Sequence, residues 1–66
     1  MADEKERFSR HEWMGRRVKV RFKPHWPVPV GNYTYDGFDE AGIWVTHDTN
    51  GQRRIIWHDI DEVTPV

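Results

Sequence analysis

A chain of 66 residues makes one small domain, and with no cysteine it must fold without a disulfide. A formal net charge of −1 removes any argument from whole-molecule charge for polyanion binding, and four scattered histidines lack the paired spacing of a structural zinc site. No metal or cofactor is therefore expected. Four Trp, three Phe and two Tyr supply large buried area per ordered residue and take the place of a larger core.

The first segment, ADEKERFSRHEW, has no Gly or Pro, opens on acids and carries Phe8 and Trp13 as its apolar residues. It predicts a short helix from Asp3 to Trp13 that either docks through those two rings or frays, and residues 1–14 form this arm. The segment is too charged for a signal peptide, and no run of about 18 apolar residues occurs. A cytoplasmic protein that does not enter membranes is the expectation.

Gly15 ends the helix and opens the expected barrel domain, residues 15–66. RRVKVRFK alternates, with Val18, Val20 and Phe22 on one face and Arg17, Lys19, Arg21 and Lys23 on the other. PHWPVPVGN holds three prolines within six residues, which excludes a central strand and predicts an extended loop. YTYDGF then resumes a strand pattern over Tyr33–Phe38. DEAG supplies a turn in which Gly42 is expected to take a positive φ, and Ile43–His47 forms the next strand. Asn50-Gly51 is a strong hairpin signal leading into QRRIIWH. Ile60 lies three residues from both Trp57 and Val63, which predicts one 3₁₀ turn and a short closing strand. Five short strands and an N-terminal helix give a mostly β fold, a small and strongly bent barrel.

The segments GRRVKVRF, GFDEAGIWV and RRIIWHDIDEV together resemble the small barrels of the Sm-like and Src-homology-type group. The resemblance implies a five-stranded SH3-like (Sm-like) barrel behind a short helix. Gly15 and Val18 match the start of the first strand, Asp39 the acidic hairpin residue, and Ile56 with Ile60 the closing segment. The chain departs from that pattern at two places. Gly42-Ile43 stands where the RNA-binding members usually place Asn, and IIWHDI lacks their closing basic signature.

Two functional readings follow. Arg16, Arg17, Lys19, Arg21 and Lys23 space cations along one strand at about 6–7 Å, near the phosphate spacing of an extended single strand. With Trp26 and Tyr33 as a stacking platform, they would hold single-stranded RNA or DNA. The bland alternative is a solvated strand face whose cations discourage edge-to-edge pairing.

The second reading is a protein-interaction or self-assembling module that uses Trp44 and Tyr35. Alternation puts Trp44 on the face opposite Ile43 and Val45, where it is either exposed or covered by the helix or a partner. A charge split supports association in either form. Residues 1–33 carry eight Lys/Arg against four acids, and residues 34–66 carry two against seven. Cys nucleophiles, nucleophile elbows, phosphate loops and zincin motifs are all absent from the sequence, so an enzyme is not expected.

Overall fold

The structure, a computed structural model, describes residues 2–66. A helix α1 (Ala2–Phe8) leads through a 3₁₀ turn (His11–Trp13) into strands β1 (Arg17–Phe22), β2 (Val30–Phe38), β3 (Gly42–His47) and β4 (Gly51–Ile56). A second 3₁₀ turn (Trp57–Asp59) precedes β5 (Ile60–Pro65). The five strands form one antiparallel sheet in the order β4-β3-β2-β1-β5.

β4 and β5 lie at opposite ends of this sheet, yet only the three residues Trp57–Asp59 separate them in the chain. So short a link requires the sheet to curl until its two ends meet at that corner. Three backbone bonds tie the corner down. Trp57 N–H donates to the Ala41 carbonyl (3.1 Å), Lys23 N–H to Asp59 (2.9 Å) and Phe22 N–H to Pro29 (2.9 Å). Among the described residues β4 and β5 do not pair with each other, so the sheet stays open. The radius of gyration is 10.7 Å, against about 11 Å for a folded chain of this length.

Alternation fills the inside of the curl. Val18, Val20 and Phe22 of β1 are buried while Arg17, Lys19 and Arg21 between them are exposed. Tyr33 and Tyr35 of β2, Ile43 and Val45 of β3, Ile55 of β4, and Ile60 and Val63 of β5 complete the sheet's share of the core. Beyond Tyr35 the alternation of β2 breaks. Tyr35 pairs with Val45 and Gly37 with Trp44, so Asp36 is an extra residue, a β-bulge. Past it Gly37 stands opposite Trp44, and Phe38 packs against the core.

The helix is shorter than the Asp3–Trp13 segment expected from sequence. It ends at Phe8, and Arg10 is extended (φ −133°, ψ 119°) before the 3₁₀ turn. Residues five apart on one helix point about 140° away from each other, so an unbroken helix cannot bring both Phe8 and Trp13 to the core. The break resolves this. Phe8 is buried beside Trp57 (ring centroids 6.4 Å), and Trp13 sets its edge against Tyr35 (5.8 Å, 81°). The Tyr35 hydroxyl donates to the Phe8 carbonyl at 2.6 Å and so occupies one of the acceptors left open at the helix end.

The turns also divide. Gly51 has φ +82° after Asp48–Asn50, the left-handed residue that a three-residue hairpin loop demands. Gly42, expected to do the same, has no positive φ. It is needed instead for close approach, because a Cβ there would collide with the Ile55 carbonyl. Asp39 makes the turn. Its N–H donates to the Gly42 carbonyl (2.9 Å), and its Oδ1 accepts from Ala41 N–H (2.8 Å) and Gly42 N–H (3.0 Å). Among the described residues no helix is long and apolar enough to cross a membrane.

Candidate functional site

The basic strand does not gather the residues expected of a nucleic-acid platform. Arg17 pairs with Asp48 (2.8 Å), and Arg21 pairs with both Asp61 (3.2 Å) and Glu62 (2.5 Å). Arg16, Lys19 and Lys23 form no ion pair with the described residues. Tyr33 is a correction to the sequence reading. It pairs with Val18 on the inward face, is 5% exposed, and meets Phe22 (6.3 Å) and His47 (5.6 Å) edge to face. No nucleobase can stack on it. Trp26 lies flat on Phe22 (4.2 Å, 10°), a lid over the end of the core with one ring face already covered.

Tyr35 is corrected in the same way. It is fully buried, its ring faces Trp13, and burial raises the pKa of its hydroxyl, partly offset by the Arg10 backbone amide. It therefore cannot form an exposed patch with Trp44, which lies on the opposite face of the sheet.

Trp44 is half-buried on that outer face, and its setting is specific. Asp39, already bound to the turn through Oδ1, accepts through Oδ2 from the Trp44 indole N–H (3.0 Å) and the Arg54 guanidinium (2.6 Å). The guanidinium sits 5.1 Å from the indole centre, a cation–π contact between cross-strand partners. The Arg54 bond is the largest cause of an Asp39 pKa held well below the usual carboxylate range. The Ala41, Trp44 and Gly42 N–H groups add to the effect, against partial desolvation. The turn, the indole and the guanidinium thus share one carboxylate.

Beside Trp44 lies a groove of about 420 Å³. Its floor is the bulge of β2, where Gly37 has no side chain to fill the space opposite Trp44. Trp44 of β3 and Gln52 of β4 form one wall, and Phe38, His11 and Met14 form the other. His11 packs its ring against Phe38 (5.2 Å, 63°), while Met14 is 49% exposed. The bulge residue Asp36 is held by its Oδ2, which accepts from Thr46 Oγ1 (2.5 Å) and Gln52 Nε2 (3.3 Å). Its Oδ1 has no hydrogen-bond partner among the described residues.

A second cluster occupies the closing corner. His25 and Asp59 lie 2.7 Å apart, and the His25 ring stacks on His58 (5.4 Å, 27°). The bond to His25 is the main cause of a lowered Asp59 pKa, with the Trp26 side chain and the charges of both imidazoles adding to it against desolvation. This ties the proline loop to the second 3₁₀ turn. The two stacked rings do not converge on one point, and among the described residues no group of three or more His, Cys, Asp or Glu is arranged to hold a metal ion.

Of the residues singled out from sequence, only Trp44 belongs to the groove. His11, Met14, Asp36, Phe38 and Gln52 were missed, because the 3₁₀ turn, β2 and β4 bring them together only after folding. The single local signal was the Asp36-Gly37 pair, a glycine inside a strand pattern that marks a bulge. Comparison with protein-family models, curated proteins and solved structures finds no match to the chain.

Proposed function

We propose that the chain is a non-enzymatic protein-interaction module built on a small SH3-like, Sm-like barrel, and that it engages a partner protein through the outer-face groove beside Trp44. The architectural half of this reading rests on the strand order β4-β3-β2-β1-β5, the one-turn link between the sheet's ends and the short helix ahead of β1. The functional half is carried by one observation. Aromatic and thioether side chains from separate elements line a concavity on the wet face of the sheet, where only polar residues are needed for solubility. A composition without cysteine suits a cytoplasmic setting for such a module.

Selection from a displayed random-peptide library tests the reading. Peptides enriched on the wild type should bind the Trp44→Ala variant at least about tenfold more weakly, the loss expected of an aromatic anchor. They should bind Lys19→Gln unchanged. Dispersed amide spectra establish that both variants are folded. Failure to enrich any peptide, or binding that ignores Trp44, defeats the proposal.

A second reading keeps single-stranded RNA or DNA as the partner, favoured by the three cations Arg16, Lys19 and Lys23 that have no acidic partner among the described residues. It has lost Tyr33 as a platform. Tryptophan fluorescence titrated with short oligonucleotides decides it. Saturable quenching that weakens with salt and is lost in a Lys19→Gln/Lys23→Gln double variant supports it, and a flat response removes it.

A further inference from the structure

The groove has a definite chemical character. Asp36 is the one acid in its lining and no Lys or Arg lines it. One Asp36 oxygen is committed to Thr46 and Gln52, which fixes the carboxylate in place, while the other has no partner among the described residues. A fixed carboxylate and an indole, in a concavity also lined by Phe38 and an exposed thioether, are matched by a group both cationic and flat.

The molecule also contains a precedent. Arg54 already lays its guanidinium over Trp44 while bonding a carboxylate, Asp39. Arg54 does not line the groove, so the part of the indole open to it is the part that Arg54 leaves uncovered. The carboxylate that shares the groove with that part of the indole is Asp36. Around Trp44 the charges of Asp39 and Arg54 cancel as a pair, and Asp36 is left as the net charge.

We infer that the groove takes an arginine side chain of the partner protein, stacked on the open part of Trp44 and donating to Asp36 Oδ1. Arginine fits better than lysine, because its planar fork can stack and donate at the same time, whereas an ammonium is a hydrated point charge. Phe38 and Met14 enclose the arginine's methylene stem, and the thioether adapts to its path. Loss of the charge from either side should therefore cost affinity without altering shape.

The inference rests on the groove being a protein-binding site, and the experiment separates the two claims. Three acetylated seven-residue Gly/Ala peptides, with arginine, its neutral isostere citrulline or norleucine at the centre, are titrated to millimolar concentration into ¹⁵N-labelled protein. The arginine peptide should shift the Trp44 indole N–H and Gln52 side-chain amide signals saturably, and the citrulline peptide should bind at least about tenfold more weakly. Asp36→Asn, which keeps an acceptor for Thr46 and Gln52, should bring the two peptides to similar affinity. The arginine–citrulline comparison on the wild type decides the matter even if that variant does not fold. Equal binding of all three peptides at the groove overturns the arginine inference and leaves the protein-binding site standing. No shift at the groove with any peptide overturns both.

Discussion

Asp39 shows how much one short side chain can organise. Its two oxygens accept from Ala41, Gly42, Trp44 and Arg54, so the hairpin turn and the wall of the groove depend on the same charge. Because its folded pKa is lowered, the folded state binds fewer protons than the unfolded chain above that value. The stabilisation is complete above the unfolded carboxyl value of about 3.9 and is lost as pH falls through the lower folded one. Asp39→Asn should therefore melt at a lower temperature than wild type at neutral pH, and the gap should narrow as the pH is taken from about 5 to about 2. Melting curves followed by circular dichroism across that range check it. A gap that does not depend on pH would mean that the charge on Asp39 contributes nothing. Gly42 beside it illustrates what a sequence leaves open. A turn glycine answers either a positive φ or a close approach, and only the position of the Ile55 carbonyl on the next strand tells which.

At the scale of elements, α1 is held to the sheet by the buried Phe8 ring and by the bond from the Tyr35 hydroxyl to the Phe8 carbonyl. A helix of seven residues has too few internal bonds to persist alone, so its existence depends on that docking. Phe8→Ala should cost about 3 kcal/mol or more, the usual range for emptying an aromatic site, measured by urea unfolding. A cost below about 0.5 kcal/mol would describe a frayed arm instead.

The same element marks the limit of the local pattern. Strand β1 was legible because Val18, Val20 and Phe22 alternate with cations, and the Asn50-Gly51 turn because few other dipeptides take that backbone. The helix break was not, since it follows from where two rings must go rather than from any breaker residue. Tyr33 and Tyr35 were placed on one face by their spacing, but spacing alone cannot say which face is wet. The groove was the least legible of all, being assembled from four separate parts of the chain.

For the molecule as a whole, the charge split along the sequence acquires a different meaning once the strands are ordered. β1, from the basic half, lies next to β5, from the acidic half, and Arg21 meets Asp61 and Glu62 across that seam. Arg17 reaches Asp48, and Lys5 reaches Glu40, so much of the asymmetry is neutralised within the fold. These pairs are exposed and worth at most about 0.2–1 kcal/mol each. Raising sodium chloride from low to about 0.5 M should lower the urea midpoint by an amount equivalent to about 1 kcal/mol. An unchanged or higher midpoint would show that the pairs do not contribute to stability.

The bulge at Asp36 carries a consequence for how such a chain tolerates length changes. A strand has parity, and β2 sends odd-numbered residues inward as far as Tyr35, whereas beyond the extra residue Phe38, an even number, packs against the core. Deleting one codon at position 36 would restore plain alternation and leave each neighbour where it is, Gly37 opposite Trp44 and Phe38 opposite the buried Ile43. The glycine floor beside Trp44 would remain, and the groove would lose its one carboxylate. For a lineage carrying this chain, position 36 is then the place in β2 where a single in-frame deletion keeps the fold's facing and alters only the chemistry of the groove.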